Sequence, residues 1–305
     1  MLTVTLLAFV TVWNLHNVRR RAASPWPAIV AALLVPFTIP VDWMLLRTAA
    51  TIWAVVSTFK TWELARGGGG DPRMQQTAAR AFLWLEVPQD SRVPDDDAAA
   101  SSTRAEGRHR LLRALLKTPG ALGLWALEIY WPSIHSNVWG EALWALLIMW
   151  LGMTAIIDVV AGIAMQSGIH VAEGFKTPLL ARSPRDFWGH RWNLFVHRWF
   201  GRHIFRPVGG LRHPIRGTLI VFLTSGLVHE YVVVAAIGHL PQHIGWMTAF
   251  FLMHGIAVVV EVATQRRFGR GPWFPRPAAI CLHLLWLTLT APLFFGPLGE
   301  IFNKM

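Results

Sequence analysis

Cysteine, tyrosine and charge are all scarce in this sequence. Its 305 residues include one cysteine, Cys281, and two tyrosines, against 17 tryptophans and 17 phenylalanines. A single cysteine excludes an intrachain disulfide framework, and abundant tryptophan is typical of helices anchored at membrane interfaces. Charged residues make up 15% of the chain and apolar residues 53%, whereas a soluble domain carries about 25% charged residues. The composition therefore predicts a polytopic integral membrane protein.

Acidic residues are fewer than basic ones, which leaves a formal net charge of +11. In a soluble protein this excess would suggest nucleic acid as a partner. Here lysine and arginine fall mainly in loops between apolar runs, so topology and anionic lipid headgroups explain them better, and no nucleic-acid partner is expected. The apolar start, Met1 to Trp13, has neither a basic n-region nor an A-x-A pattern, which predicts a retained first helix rather than a cleaved signal peptide.

The apolar runs predict an all-α fold with about eight transmembrane helices in one membrane-embedded domain, residues 1–305. The predicted spans are approximately residues 2–13, 26–39, 43–59, 121–134, 138–164, 218–237, 246–262 and 278–295. Between them lie a polar cytoplasmic loop at 66–110 and a basic amphipathic loop at 176–216. The polar stretch could also be an interdomain linker, but the apolar spans on both sides favour one domain with a long loop.

Charge also predicts how the chain is oriented. With eight spans, one side of the membrane receives nearly all of the lysine and arginine, in the loops at 14–25, 62–118, 165–216 and 263–277. The positive-inside rule places these loops in the cytoplasm and both termini outside. Abundant alanine and arginine with short loops hints at a bacterial cytoplasmic membrane.

The segment from Ser183 to Phe200 predicts one amphipathic helix at the membrane surface. Ser183 is the predicted N-cap, with Pro184 at the first helical position and Asp186 in the first turn. Spacings of four, three and four residues place an aromatic stripe on one face: Trp188, Trp192, Phe195 and Trp199. The far side carries three polar residues, His190, Asn193 and His197. Anchoring of the loop to lipid would explain the stripe but not the polar far side.

A histidine lies inside the sixth predicted span, in Phe222-Leu-Thr-Ser-Gly-Leu-Val-His-Glu-Tyr231. Ionisable groups at that depth are costly and usually functional, which weighs against a mere packing role for His229. Ser225 and Gly226 share its helical face, where Gly226 is expected to leave room beside the imidazole. Glu230 is turned by about 100° and should contact a different neighbour. A neutral imidazole here suits general-base chemistry, and an adjacent amide such as Asn193 suits a developing oxyanion.

Other buried polar residues and common motifs give weaker signals. Five ionisable residues in or near spans are expected to bond across helices: Glu128, Asp158, His254, Glu261 and His283. The 13 histidines would allow a metal, but no H-E-x-x-H or paired cysteine spacing occurs, so no metal is predicted. The chain also lacks a Walker A loop, a G-x-S-x-G elbow and a G-x-G-x-x-G turn, which leaves nucleotide hydrolysis and serine-hydrolase chemistry without support.

Two motifs together resemble a known family. Asp186-Phe-Trp-Gly-His-Arg-Trp-Asn193, followed by Phe222-Leu-Thr-Ser-Gly-Leu-Val-His-Glu230, is similar to the paired signature of the wax synthase branch of the membrane-bound O-acyltransferase family. Phe250-Phe-Leu-Met-His-Gly255 with Glu261 resembles the helix that follows in that branch. The resemblance covers residues 180–265, the motif-bearing core, whereas the N-terminal half resembles the family mainly in hydropathy. At His190 the family pattern often has arginine.

The resemblance implies a multi-helix fold with a tunnel, acyl-CoA as donor and a hydroxyl as acceptor. It implies that His229 deprotonates the alcohol and that Asn193 helps to hold the reacting groups, with acyl-CoA as co-substrate and no other cofactor. It also implies substrate binding by neighbours in the same motifs: Trp188, Arg191, Trp192, Ser225 and Glu230. Arginines of the basic loop suit the CoA phosphates, and membrane lipids are the remaining partners.

The leading hypothesis is therefore an acyl-CoA:alcohol O-acyltransferase that makes wax or other fatty esters from a lipophilic alcohol. Within that chemistry the acceptor could instead be a sterol, a diacylglycerol, a saccharide or a secondary-metabolite hydroxyl. A proton-coupled membrane transporter is the alternative of a different class, although no convincing inverted repeat favours it. A structural or receptor-like membrane protein, with His229 as a packing residue, is the third.

Overall fold

The part of the chain that the structure describes is almost entirely α-helical. The computed structural model describes residues 1–20, 24–66, 91–130, 138–269 and 274–302. The helices of the first half are α1 (Leu2–Arg20), α2 (Trp26–Leu34, continued by a 3-10 turn at Val35–Thr38), α3 (Met44–Ala65), α4 (Asp97–Tyr130) and α5 (Val138–Gln166). Two short antiparallel strands, β1 (Ser91–Arg92) and β2 (His170–Val171), pair the residues before α4 with those after α5.

The second half places three long helices after a run of short elements. The short elements are a 3-10 turn (Pro178–Leu180), α6 (Pro184–Asp186), a π-helical turn (Phe187–Arg191), α7 (Leu194–Phe200) and a second π-helical turn (Gly201–Phe205). The long helices are α8 (Pro214–Ile237), α9 (Trp246–Phe268) and α10 (Arg276–Phe302). Pro214 begins α8, where a missing amide is not needed, and Gly238 ends it with a left-handed φ of 85°.

Four helices of the described ranges are long and apolar enough to cross a membrane. They cover Trp139–Gln166, Pro214–Ile237, Trp246–Phe268 and Arg276–Ile301, and they correspond to the last four predicted spans. Leu2–Asn14 and Trp26–Thr38 are apolar but shorter, and α3 carries buried Arg47, Lys60 and Glu63. An all-α membrane protein is therefore confirmed, whereas the count of eight spans stays a prediction.

The polar loop predicted at 66–110 is partly wrong, because α4 already begins at Asp97. The Asp96 carboxylate accepts a hydrogen bond from the Ala99 amide at 2.7 Å, which is the arrangement of a helix N-cap. Three alanines follow at once, and alanine has the highest helix propensity. Residues 67–90 of the predicted loop and residues 131–134 of the fourth predicted span lie outside the described ranges.

Helices α4 and α5 are joined by buried ion pairs. Asp158 of α5, 4% exposed, accepts from Arg113 at 2.6 Å and from Lys117 at 2.7 Å, both on α4. Arg113 also reaches Glu173, just before the motif-bearing segment, at 3.0 Å. A carboxylate with two cationic partners is a tolerable buried charge. This cluster therefore ties the helices of the first half to the start of the second.

Candidate active site

The motif-bearing segment 183–200 begins with a capped turn that is bound to α9. The Ser183 hydroxyl accepts a hydrogen bond from the Asp186 amide at 3.1 Å, which confirms the predicted N-cap. The same hydroxyl donates to Glu261 Oε1 at 2.8 Å, and the Arg185 amide donates to Glu261 Oε2 at 3.0 Å. Glu261 thus takes up amide and hydroxyl donors that would otherwise lack partners at this helix start.

The prediction of one continuous helix over Ser183–Phe200 is wrong. The chain forms a π-helical turn at Phe187–Arg191, where the Trp192 amide donates to the Phe187 carbonyl at 2.9 Å. Trp192 is then extended, and Asn193 adopts a left-handed conformation with φ of 42° before α7 begins. Asparagine is one of the few side chains that tolerate this conformation. The break changes the direction of every residue that follows it.

Because of this break, the aromatic side chains do not form a stripe facing lipid. Trp188 packs between α8 and α9, with ring centroids 5.7 Å from Phe222 and 5.5 Å from Phe251. Trp192 stacks on Phe187 at 5.4 Å. Trp199 is 6% exposed and stacks on Phe59 of α3 at 4.4 Å. The tryptophans therefore fasten the segment to the helix bundle.

His229 lies on α8 with one ring nitrogen already occupied. Its Nδ1 is 2.7 Å from the Ser225 carbonyl, which can only accept, so Nδ1–H is the donor. The neutral ring then has Nε2 as its unprotonated nitrogen. Its centroid lies 4.5 Å from Phe251 of α9 and 5.5 Å from Phe294 of α10. This is the tautomer that a general base requires.

The accessible surface of His229 faces the interior of the bundle. Leu223 and Leu227 are 39% and 56% exposed and mark the outer face of α8. His229 is two residues beyond Leu227, which is a rotation of about 200° on a helix. The side chain is nevertheless only half-buried. An accessible imidazole on the inward face has room for a ligand atom beside it.

Glu230 and Gly226 form the contact between α8 and α9. The Glu230 carboxylate is 7% exposed and accepts from the Thr248 amide, in the first turn of α9, at 3.1 Å. A Cβ on Gly226 would lie 2.6 Å from Thr248 Cα, so only glycine permits this approach. Glu230 thus contacts a different neighbour from His229, as expected. Gly226 makes room for the α9 backbone, which corrects the expectation of space beside the imidazole.

Asn193 and His229 are brought to the same region but are not hydrogen-bonded to each other in the described structure. The Asn193 side chain accepts from the Val196 amide at 3.4 Å and so caps α7. Its amide nitrogen remains available to a ligand among the described contacts. A chain of rings connects the two motifs, because Trp188 contacts Phe251 and Phe251 contacts His229.

Two of the predicted substrate-binding side chains are occupied by the protein itself. Arg191 donates from Nε to Asp186 at 2.8 Å and from Nη1 to the Thr177 hydroxyl at 3.0 Å, which binds the π-helical turn to the preceding loop. Ser225 uses its carbonyl to orient His229. The roles of Arg191, Ser225, Trp192 and Glu230 toward substrate therefore stay predictions, with positioning of the motifs as their described contacts.

The basic segment contains histidines outside the spans. Burial lowers the pKa of His197, and the neighbouring His190 and Arg198 lower that pKa further. His190 is 66% exposed, with Nδ1 4.0 Å from Asp186 Oδ1. His197 is therefore neutral at pH 7, and the cationic character of this surface comes from its arginines.

Sequence reasoning treated the remaining buried ionisable residues as bonding across helices, which is confirmed for three of them. Asp158 and Glu261 make the contacts given above, and His254 accepts from Trp188 Nε1 at 3.0 Å. Glu128 falls on a side chain outside the description. Both ring nitrogens of His283 are buried without a hydrogen-bond partner in the described ranges. A glycine-flanked histidine on an apolar helix was the signal for His254, but its partner Trp188 was not predictable.

Comparison with known proteins covers this same region. Residues 171–253 match the Membrane bound O-acyl transferase family. A probable long-chain-alcohol O-fatty-acyltransferase 9 of Arabidopsis thaliana is 33% identical over 147 residues, 45% of this chain and 42% of that protein. A probable long-chain-alcohol O-fatty-acyltransferase 6 of the same plant is 30% identical over 208 residues, 63% of this chain and 54% of that protein.

A third relative differs in the acceptor that its name gives. Acyl-CoA--sterol O-acyltransferase 1 of Arabidopsis thaliana is 31% identical over 146 residues, 45% of this chain and 41% of that protein. The chain thus spans about half the length of these curated relatives. The matches include the capped turn, the break at Asn193 and His229 on α8. This chain belongs to the membrane-bound O-acyltransferase family, in its wax synthase-like branch.

Proposed function

We propose that this protein transfers a fatty acyl group from acyl-CoA to the hydroxyl of a long-chain alcohol and so forms a wax ester. The observation that carries the proposal is the state of His229, whose Nδ1–H is bound to the Ser225 carbonyl while Nε2 is free on the inward face. The family match and the names of the relatives support an O-acyltransferase around this residue. Both features concern the same helix, α8.

The proposed reaction is direct transfer without an acyl-enzyme. The alcohol donates its O–H to His229 Nε2, which takes the proton while the oxygen bonds to the thioester carbonyl carbon. The C–S bond then breaks, the thiolate leaves, and it receives the proton back from the His229 imidazolium. The products are the ester and free CoA thiol, so His229 ends in its starting state.

Asn193 is proposed to assist through its amide nitrogen. Its side-chain oxygen is used as the cap of α7, which orients the NH2 group and leaves it as a donor. A donor of this kind stabilises the oxyanion that forms on the thioester carbonyl during attack. The left-handed backbone at Asn193 turns the chain here and fixes where that donor starts from.

The acyl donor is proposed to enter from the cytoplasmic side. Nine lysines or arginines and one acid lie between Lys176 and Arg216, and guanidinium groups suit the phosphates of CoA. Eight spans, a tunnel through the membrane and cytoplasmic placement of these basic loops belong to the same proposal. The relatives named above are plant proteins, so they give no support to the expectation of a bacterial cytoplasmic membrane.

A sterol is the second acceptor that an observation favours, because one relative is named as a sterol O-acyltransferase. A diacylglycerol, a saccharide or a secondary-metabolite hydroxyl uses the same chemistry at His229. A transporter would instead use His229 as a proton relay, without ester formation. Acceptor choice and reaction class are therefore separated by product analysis.

The test uses the full-length protein purified in detergent and supplied with labelled palmitoyl-CoA and hexadecanol. We expect hexadecyl palmitate from the wild type and a loss of kcat of about 100-fold or more in His229→Ala, because removal of a general base typically costs that much. His109→Ala, an exposed histidine on α4, is the matched control and should keep full activity.

The outcome that would overturn the proposal is equally specific. If the wild type forms no ester with a panel of alcohols, sterols and glycerides, while proteoliposomes show proton-coupled uptake, the transporter is correct. If esters form but His229→Ala matches His109→Ala, the protein is an acyltransferase whose base lies elsewhere.

A further inference from the structure

A second histidine, His254, lies at the centre of the bundle and is not used by the proposed reaction. It is 0% exposed, on α9, one turn beyond Phe251. Trp188 Nε1 donates to its Nδ1 at 3.0 Å, and Trp286 Nε1 of α10 approaches the same atom at 3.3 Å. Its Nε2 is 3.0 Å from the Thr290 hydroxyl. Three segments of the chain therefore meet at one imidazole.

The hydrogen-bond directions around His254 allow one tautomer only. An indole N–H can only donate, so Nδ1 must be the unprotonated acceptor. The Thr290 hydroxyl spends its own proton on the Trp286 carbonyl at 2.9 Å, so it accepts from Nε2–H. Both ends require the same neutral ring. With both nitrogens engaged, His254 has no free lone pair with which to act as a base.

The position of this network gives it a relation to the site. Trp188 belongs to the segment that ends at Asn193, and its ring contacts Phe251. Phe251 stacks against His229 at 4.5 Å. The Trp188–His254 hydrogen bond is thus the polar attachment between the motif that carries Asn193 and the helix that packs against His229. Glu261, two turns further along α9, holds the start of the same segment.

We propose that His254 is a positioning residue for the acyl transfer: through Trp188 it sets the placement of Asn193 relative to His229. This inference rests on the proposed function, since positioning is measured by its effect on the transfer step. His254 touches neither substrate nor reacting atoms. A misplacement of about 1 Å in a catalytic group can cost on the order of 100-fold in rate, so a single hydrogen bond at this point has a large effect.

The experiment compares His254→Leu, which removes both hydrogen bonds, with His254→Asn, whose side-chain oxygen can replace Nδ1 as the acceptor for Trp188. We expect kcat to fall at least tenfold in His254→Leu, with the KM for palmitoyl-CoA changed less than threefold, and most of the loss to be restored in His254→Asn. Trp188→Phe, which keeps a ring without the donor, should resemble His254→Leu. The double variant should be no worse than the poorer single one.

The matched control is His283→Leu. His283 is also buried, at 3% exposed, in the neighbouring helix α10, but it has no hydrogen-bond partner in the described ranges. Its kcat should stay within about twofold of the wild type. Hydrogen exchange gives a readout without turnover: amides of residues 184–192 should exchange faster in His254→Leu and remain as in the wild type in His283→Leu.

Several outcomes would overturn the inference. A kcat of His254→Leu within twofold of the wild type would do so, as would fully multiplicative losses in the double variant or an unchanged exchange of residues 184–192. A stability defect alone would lower the active fraction in both His254 variants without rescue by asparagine. If the wild type itself forms no ester, the proposed function fails, and the exchange experiment alone then decides whether His254 holds the segment.

Discussion

Asn193 combines a backbone role and a side-chain role at one position. Its φ of 42° is left-handed, and its side chain caps α7 through the Val196 amide. A loss of activity in an Asn193 variant therefore has two possible origins, a displaced segment or a missing amide donor. Variants that keep one role and remove the other can separate these origins.

We predict that Asn193→Ala lowers the free energy of unfolding by about 1–2 kcal/mol, because alanine loses the cap and is strained in the left-handed region. Asn193→Gly should lose less, since glycine adopts this conformation without strain. Asn193→Asp keeps the cap but has no NH2 group, so it should be stable and slow in ester formation. Thermal unfolding and kcat measured on the same samples check this, and full activity of Asn193→Asp would contradict the proposed donor role.

At the scale of elements, the crossing of α8 and α9 is fixed by one missing side chain. Gly226 lies against the backbone of Thr248, and Glu230 on the same helix accepts from the Thr248 amide. The backbone of α9 cannot rotate out of the way as a side chain would. The distance between these two helices is therefore set at Gly226, and Phe251 reaches His229 only at that distance.

We predict that Gly226→Ala destabilises the protein by about 1–3 kcal/mol, the usual cost of overpacking, and lowers activity as well. Gly152→Ala in α5 is the matched control, because a Cβ there would meet nothing within 4 Å. That variant should be neutral or slightly stabilising, since alanine favours helix. Melting temperatures of the two variants check the prediction, and equal values would show that α8 and α9 can separate without cost.

Hydropathy predicted the long helices of the second half well and the motif-bearing segment poorly. The run predicted at 246–262 corresponds to α9, Trp246–Phe268, because apolar length alone specifies such a helix. The break at Asn193 leaves no trace in periodicity, since it depends on contacts from elsewhere in the chain, such as His254 with Trp188 and Glu261 with Ser183. Local patterns cannot contain contacts between residues so far apart in sequence.

The candidate site was predictable in its residues and not in its geometry. A histidine at membrane depth indicated His229, and the rotation of Glu230 away from it followed from helix geometry. The use of the Ser225 carbonyl to select the tautomer, and the use of Arg191 within the protein, required coordinates. Side-chain partners several residues away on irregular turns are not fixed by sequence spacing.

At the scale of the whole molecule, the eight-span topology makes a prediction about sidedness. Ser101 on α4 and Gln242 between α8 and α9 are both exposed, and eight spans place them on opposite sides. In a Cys281→Ser background, a cysteine at position 101 should react with an impermeant thiol reagent only from the cytoplasmic side, and one at position 242 only from outside. Labelling of both from the same side would exclude the eight-span arrangement.

The ion pairs of Asp158 have a consequence for the modularity of this fold. The family match starts at residue 171, yet Glu173 within it is bound by Arg113 of α4, which in turn holds Asp158 of α5. A fragment cut at the edge of the match would leave the cations of α4 and the carboxylate of α5 behind. The conserved-looking segment is thus not a portable module, and any chimera that exchanges it between relatives must carry the charges of α4 and α5 with it.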